Sequence, residues 1–266
     1  MTDQPSTPDL EPVRLQENES GVIIEVTVAA PLATVWEHLR DPELISRWHG
    51  WDDESLDDEI DFIYQQHARK GATPYTLETE GGGSFEVGDR FDLREQGGAT
   101  VVRITRGPKG TTDDDWDAMY DDITQGWISF LAQLRFVLER SGTAHRRTVF
   151  LASGPAPAIR ELLGVAELRP GDPYAVAPTP ELSLNGRAWF GTTAQTGAQT
   201  GLTVEAYGPG LVVLADKPGD EPGMAASSMA IVSTYGLTDA EFARVENAWQ
   251  TWWSEHHRAD EPPPDA

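Results

Sequence analysis

From Val22 to Val28 the chain alternates: Val22, Ile24, Val26 and Val28 fall on one face and Glu25 and Thr27 on the other, with Ile23 the exception. Alternation with this period predicts a half-buried strand. Pro31 suits the first helical position, where a missing N–H costs nothing. Val35, Trp36 and Leu39 then give the next helix an apolar stripe. Asp41-Pro42 breaks it, and Leu44, Ile45 and Trp48 predict a second short helix. Residues 52–61 are dense in acid, yet Ile60, Phe62, Ile63 and His67 share a helical face. Gly81-Gly82-Gly83, Gly88, Gly97-Gly98 and Gly107-Pro108 punctuate short strands around Phe85, 91–93 and 100–104. A helical period follows: Ile123, Trp127, Phe130, Leu131, Leu134 and Leu138 recur at i, i+4, i+7, i+8, i+11 and i+15, predicting a long helix over 119–140.

After Ser141-Gly142 the pattern restarts. Residues 145–154 read as a strand, 155–164 as a helix opened by proline and closed by Gly164, and 169–180 as a proline-rich loop. Strands fit 187–193, 202–207, 211–215 and 228–234. Thr238 followed by Glu241 is a capping box before an apolar run, and Phe242, Val245, Trp249, Trp252 and Trp253 stripe the last helix. Residues 1–20 and 259–266 are polar and proline-bearing and are expected to be disordered tails.

The two halves overlay. Trp127 and Trp249 stand 122 apart, and at that offset Ile123 falls on Val245, Gly126 on Ala248, Phe130 on Trp252 and Leu131 on Trp253. Pro31 and Pro155 stand 124 apart, with Val35 on Ile159, Glu37 on Glu161 and Leu39 on Leu163. Such offsets are what a duplicated domain leaves after small insertions; the period is too long for a solenoid unit. Each half reads strand, short helices, antiparallel strands, long helix. The expected fold is α+β: a twisted antiparallel sheet wrapped around one long C-terminal helix, duplicated as domains 21–142 and 143–258.

The stretch Ala30-Pro31, Val35-Trp36, Leu39, Asp41-Pro42, Ile45 and Trp48 resembles the opening of the SRPBCC superfamily, the START-like helix-grip fold. Within it the chain is most similar to the activator of Hsp ninety ATPase homologue group, whose closing helix pattern is matched by Gly126-Trp127, Leu131 and Leu134. The resemblance covers roughly residues 20–141. Its middle departs from the pattern near 55–70, although Gly82-Gly83-Ser84-Phe85 keeps the glycine-rich strand pair. The second half matches in plan only; it lacks counterparts of Trp36 and Asp41-Pro42. The resemblance implies a cavity enclosed by helix and sheet, in a family whose members bind or transform hydrophobic small molecules or serve as co-chaperone or toxin-antitoxin-type modules.

Composition narrows the function. A hydrophobic fraction of 39% and an aromatic fraction of 9% suit a globular core. The net charge of -24 disfavours nucleic acid and anionic membranes as partners. The absence of cysteine excludes disulfides, thiol catalysis and cysteine-ligated zinc. No apolar run is long enough for a membrane span, and no basic region followed by an apolar run opens the chain, so the expected location is cytoplasmic.

No cofactor and no metal is expected. The acidic runs 52–61 and 113–117 lack calcium-loop spacing, and residues 107–112 miss the phosphate-loop spacing. The triplet Gly81-Gly82-Gly83 lacks a following helix, and no serine elbow occurs.

His38 falls on the polar side of its helix and reads as solvated; His49, between tryptophan-bearing turns, is the better functional candidate, though no spacing identifies a partner for it. The candidate ligand-binding set is Trp36, Trp48, His49, Phe85, Phe91, Trp127 and Phe130, although the tryptophans also read as core. Three functions remain. Non-catalytic binding of a hydrophobic small molecule calls for an apolar cavity in the first domain. A cyclase- or hydrolase-type enzyme calls for the same cavity with convergent polar groups and shifted pKa values. A co-chaperone-like partner for another protein calls for a filled interior and an exposed patch.

Overall fold

The computed structural model describes residues 13–18, 21–79, 88–108, 114–194, 196–219 and 222–256. The first half begins with strands β1 (Arg14–Asn18) and β2 (Gly21–Val28) and short helices α1 (Leu32–His38), α2 (Pro42–Ile45) and α3 (Leu56–Asp61). Helix α3 runs on into a π-helical turn, Phe62–Gln66. Strands β3 (Ala68–Lys70), β4 (Thr76–Thr79), β5 (Arg90–Gln96) and β6 (Ala99–Arg106) follow, and then the long helix α4 (Asp114–Phe136), which closes in a second π-helical turn, Val137–Ser141. The second half comprises β7 (Arg146–Ser153), β8 (Ala156–Pro157), α5 (Ile159–Leu162), β9 (Pro173–Val176), β10 (Leu184–Ala194), β11 (Gly197–Val204), β12 (Gly210–Pro218), β13 (Met224–Tyr235) and the long helix α6 (Asp239–His256).

The result is an α+β molecule with two large antiparallel sheets. The first has the order β1-β2-β6-β5-β4-β3 and the second β7-β13-β12-β11-β10-β9, with β8 pairing on β13. The two share a path: β2 lies beside β6 and β7 beside β13, and each sheet then runs backwards along the chain. Between β5 and β6, Gly97 and Gly98 make a two-residue turn with φ of 61° and 83°, the left-handed region that such a hairpin requires.

Both long helices carry apolar stripes, but the layers stack so that they are used differently. Ile24, Val26, Val102, Ile104 and Phe91 of the first sheet share a core with Ile128, Leu131 and Leu134 of α4. The other side of α4 meets the second sheet, whose Leu211, Val213, Ile231 and Tyr235 join that same core. Their neighbours Val212, Leu214, Ala230 and Val232 point the other way, into a second core with Trp249, Trp252 and Trp253 of α6. The order is therefore first sheet, α4, second sheet, α6. A strand buried on both faces needs a continuous apolar run, and Leu211-Val212-Val213-Leu214 of β12 is one.

Several expectations are corrected. Part of the supposed N-terminal tail is strand β1, in register with β2 from Arg14↔Glu25 to Asn18↔Gly21; pairing covers what would be an open sheet edge. The proline-rich loop contains β9, which starts at Pro173 on the edge of its sheet, where a missing N–H leaves no ladder bond unmade. Only one turn of the helix over 155–164 forms, because Ala156 and Pro157 pair with β13 instead. The strand over 202–207 lies earlier, at Gly197–Val204. The capping box does form: Thr238 N donates to Glu241 Oε2 at 2.9 Å. The glycine triplet 81–83, Phe85, Asp113 and the 259–266 tail lie outside the described residues. Among the described residues no helix is long and apolar enough to cross a membrane.

Candidate functional site

Helix α4 presents Gln125, Ser129 and Gln133 at i, i+4 and i+8 towards the second sheet, all buried. Their polar groups are satisfied across the layer. Gln199 Nε2 donates to Gln125 O and Oε1, both at 2.8 Å, Ser129 Oγ donates to Gln199 Oε1 at 2.9 Å, and Ser233 Oγ donates to Gln133 Oε1 at 2.9 Å. Beside the N-terminal half of this helix lies a cavity of about 650 Å³. One wall is Ile123, Gly126, Trp127 and Phe130 of α4 with Glu59, Phe62 and Ile63 of α3 and its π-helical turn. The opposite wall is the ends of β7, β12 and β13, including Ser153, Lys217, Ser227, Met229 and Ile231.

The segment after α2 is pinned to the second sheet. Buried Arg146 donates to His49 O at 2.7 Å and Gly50 O at 3.3 Å, and Asp52 exchanges two hydrogen bonds with Thr148, at 2.6 and 2.8 Å. Trp51 stacks on Phe150 with centroids 3.8 Å apart and planes 4° from parallel. These contacts hold the His49 ring, only 1% exposed, 4.6 Å from Phe130 and 5.8 Å from Trp127.

His49 is the middle of a chain of three. Its Nε2 lies 3.2 Å from Glu59 Oε1 and its Nδ1 lies 3.1 Å from the Tyr64 hydroxyl. Burial lowers the His49 pKa, opposed by Glu59, so the ring is neutral near pH 7. The hydrogen bond from His49 lowers the Glu59 pKa, and burial raises that of Tyr64 well above the usual value. One assignment satisfies all three groups: Tyr64 O–H donates to Nδ1, and Nε2–H donates to the Glu59 carboxylate.

The other carboxylates on the wall are partnered. Asp89 accepts from Arg106 Nε at 2.8 Å and Trp127 Nε1 at 2.7 Å. Asp122 pairs with Lys217. Asp216 accepts from the backbone N–H groups of Ile159 and Arg160 and from Ser228 Oγ. Among the described residues, Ser153 Oγ is buried without a hydrogen-bond partner. Among the described residues no cluster of three or more His, Asp or Glu is placed to hold a metal ion.

Of the residues singled out in the sequence, His49, Trp127 and Phe130 come together on the cavity wall. Trp48 does not reach it: fully buried, it donates from Nε1 to His38 O at 2.8 Å. Trp36 is half-buried away from the cavity, edge-on to Tyr75 at 5.8 Å. Phe91 is fully buried behind Trp127, at 5.1 Å. His38, expected to be solvated, is buried, with Nδ1 2.9 Å from Thr34 O. The space expected between α4 and the first sheet is filled by the rings of Trp48, Tyr64, Phe91 and Trp127, which pack against one another, and the cavity opens instead between α4 with α3 on one side and the second sheet on the other. Sequence reasoning missed Trp51, Glu59, Tyr64 and every wall residue from the second sheet. The acid-dense 52–61 run concealed Glu59; the buried pair Ile60 and Tyr64, four apart, was the available signal.

No family model and no curated protein matches the chain. Solved structures overlap it weakly. DynU16, from the dynemicin biosynthetic locus, is 15% identical over 88% of this chain and 95% of its own, with a TM-score of 0.33. The di-domain ARO/CYC BexL of the BE-7585A biosynthetic pathway is 12% identical over 90% of this chain and 99% of its own, at 0.33. Protein Ms6760 from Mycobacterium smegmatis is 13% identical over 51% of this chain and 99% of its own, at 0.35. At this level of overlap neither kinship nor activity is transferred.

Proposed function

We propose that the chain is a tandem pair of helix-grip domains, 21–142 with β1 added and 143–258, that binds a hydrophobic small molecule in the cavity between them. The shared strand path and the long helix closing each half support the duplication. The motif residues Pro31, Asp41 and Pro42 stand at the caps of α1 and α2, where the SRPBCC resemblance needs them. The observation that carries the binding reading is the cavity itself: about 650 Å³, within the range of small-molecule sites, and walled by Trp51, Phe62, Trp127, Phe130, Met229 and Ile231. Apolar fluorescent probes should bind with a change in tryptophan emission, and Ala215→Phe, which grows into the cavity, should abolish this without lowering the melting temperature. A well-folded protein that binds no apolar probe would overturn the reading.

Catalysis of cyclase or hydrolase type is the second reading. Convergent polar groups with displaced pKa values are what it requires, and Glu59, His49 and Tyr64 supply them. Two features favour binding: both nitrogens of His49 are engaged, and Glu59 is held ionised, which makes it a weak base. Mass spectrometry of bound compounds decides between them. Conversion by the wild type that stops in Tyr64→Phe while binding persists supports an enzyme; no conversion of any bound compound leaves binding alone.

A further inference from the structure

The charges on the cavity wall are lopsided. Among its described lining residues are four carboxylates, Glu59, Asp89, Asp122 and Asp216, and one lysine, Lys217. Three of the four are neutralised or capped by Arg106, Lys217 and the first turn of α5. Glu59 is different. Its single described partner is the uncharged His49, through one oxygen, and its side chain is 48% exposed. Nor is it one more member of an acidic helix: Asp57, Asp58 and Asp61 on the same stretch do not line the cavity. Around it stand aromatic rings. Phe62 follows three residues on, and the His49 ring that Glu59 contacts lies against Phe130 and Trp127.

We propose that the cavity takes a hydrophobic organic cation, a protonated nitrogen on an apolar skeleton, with the charge beside Glu59 and the skeleton against Trp127 and Phe130. The inference rests on the binding function above and names the class of ligand for that site. An uncompensated carboxylate and ring faces attract the same thing, a cation, and the attraction strengthens as water is displaced. An anion meets the reverse: the lysine on the wall is held by Asp122, and the whole chain carries -24.

Three probes sharing a pyrene skeleton test this on the full chain: pyrenylmethylammonium, pyrenylmethanol and pyrenecarboxylate, titrated by fluorescence at about 0.15 M salt, where the general field is screened beyond ~8 Å. The ammonium should bind about tenfold more tightly than the alcohol, and the carboxylate more weakly than both. Glu59→Gln should erase most of the gap between ammonium and alcohol. Asp58→Asn, which removes a charge from the same helix but not from the wall, should leave the gap intact. Equal affinity of wild type for ammonium and alcohol, or a gap that survives Glu59→Gln, overturns the cation inference while the binding function stands. Failure of all three probes to bind overturns both.

Discussion

Helices α4 and α6 each close one half of the chain, and at an offset of 122 their apolar positions coincide, yet the protein uses them oppositely. Helix α6 buries one side, with Trp249, Trp252 and Trp253 in the second core, and shows Asn247 and Gln250 on its outer side. Helix α4 is covered on two sides, so that Gln125, Ser129 and Gln133 are interior groups bonded to a sheet far along the chain. A polar stripe on a helix is therefore not a prediction of solvent. The helix with two partners is also the one beside the cavity: packed surfaces that are not self-complementary along their whole length leave space between them, whereas a helix on its own sheet can close over it.

Substitutions on each helix should separate their two roles. Trp249, fully buried, anchors α6 alone, so Trp249→Ala should cost about 3–5 kcal/mol in denaturant unfolding and leave probe binding by the folded protein unchanged. Lost binding would show that the second core also shapes the cavity. Next comes the polar stripe. Gln133→Ala would leave Ser233 Oγ and the Gly50 carbonyl without this partner in a buried layer, at about 1–3 kcal/mol. Gln250→Ala on the outer side of α6 should change stability by less than about 0.5 kcal/mol. Equal effects would erase the distinction between the two helices. Thr238→Ala, which removes the capping box of α6, should cost about 1 kcal/mol.

The smallest effect is a slope. The folded-state pKa of His49 lies below its usual 6.5, so the unfolded chain takes up the proton first. Its contribution is complete above that pH and is lost as pH falls from there through the lower folded-state value. His38, lowered by the same burial, acts in the same direction. Melting temperature should therefore fall on acidification from pH 7, and His49→Gln should flatten part of that fall and leave the share of His38. An unchanged slope would mean that His49 is solvated in the folded protein.

How much was legible varies by residue. Alternation over Val22–Val28 locates β2 because one of its faces is packed, and the capping box locates the start of α6 because a cap is a local event. The strand at Arg14–Asn18 was illegible, since it exists by pairing with β2 and not by a pattern of its own. His49 could be singled out by its aromatic neighbours, but Glu59 and Tyr64 could not be joined to it, because their spacing of ten and fifteen residues depends on how α3 turns back over α2.

The α+β class, the two long helices and the aromatic residues available to a site follow from order along the chain, because periodicity and caps act over a few residues. Where the cavity opens along α4 depends on contacts between distant parts of the chain. The bonds that settle it join residues 70, 74 and 100 apart. Glutamine and serine on a helix look the same to local periodicity whether they face water or another sheet; burying them becomes tolerable only when Gln199 and Ser233 arrive to make their hydrogen bonds.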